Sequence, residues 1–203
     1  AIRKDGEEVA PPGEAEWEYA ARSGGKTERY AGFSDQSQMY RYANVCDKNC
    51  FFSYQTVSQD DGYKFTAPVG SYRANGLELY DMTGNVFQWI NDWYGSTYYQ
   101  ESSKHNPRGP AGGQYRVLRG GSWFLTPPYV RASYRLWGAP DTRFYDIGFR
   151  LVTLPDSDFT KIGRGKGHPG ESPTVFPVRL PCHKVPLRTF AATRERTNLP
   201  END

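Results

Sequence analysis

Few residues in this chain have types and spacings that could do chemistry. Cys46 and Cys50 stand close together in CDKNC, and Cys182 sits far along the chain beside His183. Thiolates are nucleophiles and soft metal ligands. A structural zinc site needs four such donors, and only Cys182 and His183 could complete one with the first pair. A bridge between Cys46 and Cys50 would close a very short loop, which disulfide geometry allows only in particular turns. The pair therefore reads as two free thiols in a loop, ahead of a bridge or half of a metal site. His105, His168 and His183 are scattered and read as solvated side chains. No GxSxG, HExxH or phosphate-cradling glycine loop is present. Gly120-Gly121 follow a strand-like run, but neither a helix signal nor Lys-Ser/Thr comes after them, so they read as a turn.

Such groups need elements to position them, and the chain offers few. EAEWEYAARSG (14–24) is the one convincing helix: Trp17, Ala20 and Ala21 fall at i, i+3 and i+4, and Gly24-Gly25 ends it. YKFTAPVGSY (63–72) and QYRVLRGGSW (114–123) read as strands followed by turns. NVFQWINDWY (85–94) puts Val86, Trp89, Ile90 and Trp93 at helical spacing and reads as a short helix. Loops such as GFSDQSQ, SQDDGY and SSKHNPRGPAGG lie between, and no internal repeat is visible.

The 203 residues suit one ordinary domain plus a tail. A formal net charge of +2 makes no case for nucleic acid or an anionic membrane as partner. No apolar run approaches the ~18 residues of a membrane helix, and the N-terminus lacks the apolar core of a signal peptide. Aromatics are plentiful, with 15 Tyr against 11 Phe and 5 Trp, so much of the tyrosine must lie near the surface. After Thr153 the composition turns to Pro, Arg and Lys without periodicity, and residues 154–203 read as a disordered basic tail. Residues 1–153 are left as the folded domain.

Six phrases, in order, carry a resemblance: PPGEAEWEYAARSG, YANVCDKNC, DDGYKFTAPVGSY, NGLELYDMTGNVFQWINDWY, YRVLRGGSW and PDTRFYDIGFRLV. From about Pro11 to Val152 the chain resembles the formylglycine-generating enzyme family, also called sulfatase-modifying factor domains. The resemblance implies an α+β fold, a loop-rich variant of the C-type lectin fold with short strands and few helices. Relative to the family, the opening strands before EAEWEYAAR are missing. An N-terminally truncated domain with an exposed sheet edge is therefore expected, completed by a longer parent chain or a separate N-terminal segment.

Members of the family differ in activity. Formylglycine-generating enzymes hold copper between two cysteine thiolates, a donor pair suited to Cu(I). Those cysteines stand at the second and seventh positions beyond the aromatic residue of RGGS(W/Y). Here the two positions are Leu125 and Val130. The resemblance thus implies a domain that binds no copper and is not an enzyme; the alternative is a sulfatase-maturing oxidoreductase homologue or its non-catalytic partner. Calcium is the cofactor implied. One site would take the Asn44 side chain, the Val45 carbonyl, Asp61 and the Tyr63 carbonyl, where DDGY offers an acid and a glycine turn. A second would take Asp81, the carbonyls of Gly84 and Val86, and Gln88, which stands where the family commonly has Glu.

The family also includes the variable proteins of diversity-generating retroelements. In these, reverse transcription scatters adenines, so Asn codons become codons for many residues between RGGSW and GFRLV, on one exposed face. The corresponding candidates are Phe124, Leu125, Thr126, Tyr129, Ser133, Tyr134, Leu136, Gly138, Thr142, Phe144, Tyr145 and Asp146, each reachable from an Asn codon by changing adenines. Trp137 would be a further anchor if exposed. Tyr and Phe give rigid contact area at small entropy cost, while Ser, Thr, Gly and Asp add adaptable hydrogen bonding. The resemblance therefore implies a ligand-binding domain that meets a protein or other macromolecule through a 124–146 face. Its origin would be bacterial or phage, with the compartment left open.

Overall fold

The computed structural model describes residues 2–4, 7–54 and 56–153; the expected tail, with Cys182, His168 and His183, lies outside the described residues. Helix α1 (Glu14–Ala21) forms where the Trp-Ala-Ala spacing places it, with Glu14, Trp17 and Ala21 buried. The Glu16 carboxylate accepts the Gly13 N–H at 2.8 Å, satisfying one of the donors that a helix start leaves open. Two single-turn helices follow, α2 (Met39–Tyr42) and α3 (Tyr98–Glu101).

Seven short strands are described: β1 (Ile2–Lys4), β2 (Glu7–Ala10), β3 (Phe87–Trp93), β4 (Arg116–Arg119), β5 (Leu136–Gly138), β6 (Ile147–Phe149) and β7 (Val152–Thr153). They form a three-stranded sheet in the order β1-β2-β7 and a four-stranded sheet in the order β5-β4-β3-β6. Every pairing is antiparallel except β3 with β6. Most of the described chain is loop, as the sequence suggests.

Two expectations are corrected. NVFQWINDWY is the central strand β3, not a helix. It is paired on both edges, and one face, Gln88, Ile90 and Asp92, is buried, while Trp89 and Trp93 on the other are half-buried and Asn91 is exposed. The buried face carries polar Gln88 and Asp92 while the open face carries Trp89 and Trp93, so residue type does not alternate with burial and the apolar spacing mimics a helix. YKFTAPVGSY contains no strand. The Asn85 side chain pairs with Ala67 instead, accepting its N–H at 3.0 Å and donating to its carbonyl at 3.2 Å. That amide supplies what a neighbouring strand would have supplied.

The interior has two apolar clusters. Trp17, Ala21, Ala31, Met82, Ile90, Val117 and Ala132 join α1 to the larger sheet. Tyr30, Phe33, Met39, Ala43, Val45, Val57 and Val130 pack the loops on the other side. Between α1 and β4 lies Arg119, whose side chain has no exposed surface. It pairs with Glu14 at 3.5 Å and with Glu18, and donates to the Tyr134 carbonyl at 2.5 Å. Arg135 shares Glu14 at 2.6 Å. A charge left unpaired in such a place is costly. Arg119→Met should therefore lower unfolding stability by about 3–5 kcal/mol, read from urea denaturation; a loss below about 1 kcal/mol would show that the network carries little.

Candidate functional site

Leu125 and Val130 are held from both sides. Val130 is fully buried in the second apolar cluster, and Leu125 packs against that cluster. Gly121, in the left-handed region at φ +75°, leaves space that a β-carbon could not share, since it would lie 2.5 Å from Val130 Cγ1. The Leu125 carbonyl accepts the Cys46 N–H at 3.0 Å, tying the RGGSW turn to the CDKNC loop.

In that loop Cys46 and Cys50 form a disulfide with Cα atoms 4.9 Å apart, which corrects the expected free thiols. The turn that permits it is visible in the hydrogen bonds. Cys50 N–H donates to the Asp47 carbonyl at 3.0 Å, and Asn49 N–H donates to the Asp47 carboxylate at 2.7 Å. An aspartate capping its own turn is a common device, and it brings the two cysteines within bridging range.

The first expected calcium set converges around Asp61. Its carboxylate accepts the N–H groups of Val45 at 2.9 Å and Tyr63 at 3.0 Å. Asp61 N–H donates to Asp47 at 2.6 Å, so two buried carboxylates lie together. Neither forms an ion pair with Lys or Arg among the described residues. Burial, with the nearby charges of Asp47 and Asp60 adding to it, raises the Asp61 pKa to about 6. With the folded value above the unfolded one, and with no cation bound, this group favours the fold most below about pH 4 and progressively less as pH rises to about 6. Asn44 donates to the Phe65 carbonyl at 2.7 Å, while its buried Oδ1 has no hydrogen-bond partner. An orphaned amide oxygen one residue from Val45, whose N–H Asp61 accepts, and carboxylates without a paired cation are oxygen donors of the type that calcium takes. Asp47 was not anticipated. Its signal was the acid directly after NVC, hidden by attention to the cysteines.

The second set is differently committed. Gln88 Oε1 accepts both the Trp17 indole N–H at 2.8 Å and Arg150 Nε at 2.6 Å, and Gln88 Nε2 donates to the Asp81 carbonyl. Arg150 also donates to the Tyr80 carbonyl at 2.9 Å. Gly84 sits at φ +70°, where a β-carbon would also meet the Asn44 carbonyl oxygen at 2.1 Å, so the position requires glycine; Val86 is half-buried. Asp81 Oδ1 is the one side-chain oxygen of this set left without a partner, among the described residues.

The candidate face residues fall into groups. Phe124 and Tyr145 meet at 6.2 Å, each also touching the buried Trp123, and Phe144 touches Tyr145. Phe144 and Tyr145 are 59% and 66% exposed. Tyr129 and Tyr134 pair edge to face at 5.5 Å, near exposed Ser133. Trp137 is 45% exposed, as an anchor should be, but it lies on β5 against Tyr115 and Tyr94. Its β5 neighbours Leu136 and Gly138 are half-buried, as are Thr126 and Thr142. Two positions turn inward. Leu125 packs on the core, and Asp146 is buried while its carbonyl accepts the Phe87 N–H at 2.7 Å. The aromatic side chains of Phe51, Phe52, Tyr54 and Phe65 were not anticipated. FFSY and YKF, each in a loop-rich stretch, were the available signals.

Residues 7–154 match the family described as the sulfatase-modifying factor enzyme 1-like domain. The chain belongs to this family. A formylglycine-generating enzyme of Streptomyces coelicolor is 41% identical over 152 residues, covering 73% of this chain and 47% of that protein. The formylglycine-generating enzyme of Mus musculus is 34% identical over 153 residues, 72% of this chain and 40% of that one. Among solved structures, Treponema denticola variable protein 1 superimposes with a TM-score of 0.62 at 31% identity, over 76% of this chain and 50% of that chain. The sulfatase-modifying factor domain here thus spans about half the length, or less, of these relatives. Its few helices, small mixed sheet and long loops are the C-type lectin-like α+β architecture of the family. No described helix is long and apolar enough to cross a membrane.

Proposed function

We propose that this sulfatase-modifying factor domain is a catalytically silent ligand-binding module whose face lies between RGGSW and IGFRLV. The observation that carries the reading is the packing of Leu125 and Val130: aliphatic carbon, turned into the apolar interior, stands where the family's enzymes present two sulfurs. The Cys46–Cys50 disulfide lies beside Leu125 but holds its sulfurs in a covalent bond, not as thiolates. Supplied with copper, air and a cysteine-containing peptide, the chain should leave the thiol unconverted. Aldehyde detected by hydrazide labelling above a protein-free control would overturn the reading.

Exposed rings on loops braced by fixed arginines support a binding role. The likeness to the Treponema denticola variable protein supports the sharper form, in which a retroelement diversifies the face. Sequencing the same locus in sibling strains should then show changes concentrated at positions such as Phe124, Tyr129, Phe144 and Tyr145, with Arg119, Arg135 and Arg150 constant. Changes spread evenly along the gene would remove the retroelement from the account.

Calcium belongs to this proposal at the first set alone: Asn44, Asp61 and the carbonyls of Val45 and Tyr63 would hold it, and the ion would neutralise the buried acids. At pH 7, millimolar calcium should raise the Tm by several degrees, and a chelator should reverse the rise. The rise should shrink as pH falls through about 6, where protons compete for Asp61, and it should vanish in Asp61→Asn. A Tm indifferent to calcium at pH 7 would exclude the ion.

A further inference from the structure

The aromatic rings of the face do not end with the segment between RGGSW and IGFRLV. Phe52 stacks on Tyr54 at 5.1 Å and reaches Phe124 at 6.0 Å. The Tyr54 hydroxyl donates to the Phe124 carbonyl at 3.3 Å. Phe65 meets Trp123 edge to face at 5.3 Å. Lys64 bridges the two loops, with its ammonium 5.6 Å from the Phe51 ring and 5.8 Å from the Phe65 ring. Phe51 and Phe65 are 73% and 56% exposed, more than their own folding requires. The Cys46–Cys50 bridge closes the start of this loop, and the Cys46 bond to Leu125 fastens it beside the RGGSW turn.

We infer that the loop from Cys46 to Tyr54, with Lys64 and Phe65, is the fixed half of the binding face, and that the face takes a protein segment carrying a carboxylate among apolar side chains. The inference rests on the proposed face and names its partner class. Chemistry selects that class. Lys64 has no carboxylate partner among the described residues, while neighbouring Lys48 is paired with Asp60 at 3.4 Å. An open ammonium set between two aromatic rings suits one acidic side chain with apolar neighbours. A nucleic acid strand would call for several such cations along a groove. A sugar would call for convergent polar groups, but the Tyr54 hydroxyl is already engaged and Asp61 and Asp146 are buried. Rigid rings set in a bridged loop also lose little entropy on contact.

The test uses the intact, unreduced chain and three short synthetic peptides, titrated calorimetrically. One alternates Asp with Leu and Phe, the second has Lys for Asp, and the third has Ser for Leu and Phe. The first should bind at least ~10-fold more tightly than either of the others, with Lys64→Glu reversing the charge preference and Phe51→Ser weakening binding ~5-fold or more. Both positions are exposed, and matching Tm values will show that the variants fold. If Tyr145→Ser weakens binding while Phe51→Ser and Lys64→Glu do not, the face survives and its extension is overturned. If Phe51→Ser and Lys64→Glu weaken it while Tyr145→Ser does not, the loop binds alone and the face reading fails instead. Equal binding of all three peptides, or of none, overturns the inference. So does co-sedimentation with phosphatidylserine-containing vesicles, but not with phosphatidylcholine alone, in the absence of peptide binding.

Discussion

The guanidinium of Arg119, shut away from solvent between two glutamates of α1, is the interaction on which the remaining geometry hangs. A charge in that position must be satisfied from several directions, and each direction fixes a different part of the chain. Glu14 and Glu18 fix the helix, and the Trp17 ring lies 5.0 Å from the guanidinium carbon. The Tyr134 carbonyl fixes the loop after the Pro127–Tyr129 turn, and Arg135, on the same Glu14, fixes the approach to β5. Since Arg119 itself ends β4, the RGGSW turn starts from a point that cannot shift without breaking all of these bonds. The segment that varies in the proposed function is thus clamped at its beginning and its middle by charged contacts. A second clamp, Arg150 on Gln88 and the Tyr80 carbonyl, holds its end.

Regular structure is sparse, so polar side chains replace it. Asn85 imitates a strand toward Ala67, and Asn75 accepts the N–H groups of Leu77 and Leu79 while donating to the Ala20 carbonyl at 2.6 Å. Asp47 and Asp61 organise their own loops in the same way. Such bonds satisfy backbone groups that a loop would otherwise bury unpaired. They also make the loops stiff without making them repetitive. Stiff, non-repetitive loops are what a surface needs if its exposed residues are to change while its shape persists.

This design also decides what the sequence could reveal. Helix α1 was legible because Trp17, Ala20 and Ala21 state its period and the glycines state its end. Strand β3 was not, because its buried face holds the polar Gln88 and Asp92 and its open face the apolar Trp89 and Trp93, which hides the alternation that distinguishes a strand. YKFTAPVGSY has the residue types of a strand, yet its partner is a single side chain, and no local pattern announces a long-range amide. The exposure of Trp137 was left open by the sequence, and only the sheet order places it on β5 with Tyr115 and Tyr94. At Asp146 the type suggested surface while the position, beside the Phe87 N–H at the head of β6, demanded the interior. The disulfide was missed for a related reason. Cysteine spacing says how far apart two residues are along the chain, and the Asp47 turn decides how far apart they are in space.

In the proposed function, Leu125 and Val130 are where a scaffold that serves chemistry in the family's enzymes is turned to recognition. A metal-binding pair of sulfurs must be reachable by substrate and free to change protonation, which demands an opening beside the RGGSW turn. Aliphatic residues at the same positions remove that demand and allow closure. Val130 fits against Gly121 with no room for another carbon, and Leu125 turns its side chain to the core while its carbonyl holds Cys46. The RGGSW turn is joined to the bridged loop by this bond, and the rings of Phe52 and Phe124 meet at 6.0 Å across the join. The surface so formed is braced before any partner arrives, and bracing reduces the entropy that association would otherwise consume. In the proposed function, carbon in place of sulfur would do more than silence an activity. It would turn a place where a ligand must enter into a floor on which a ligand can rest.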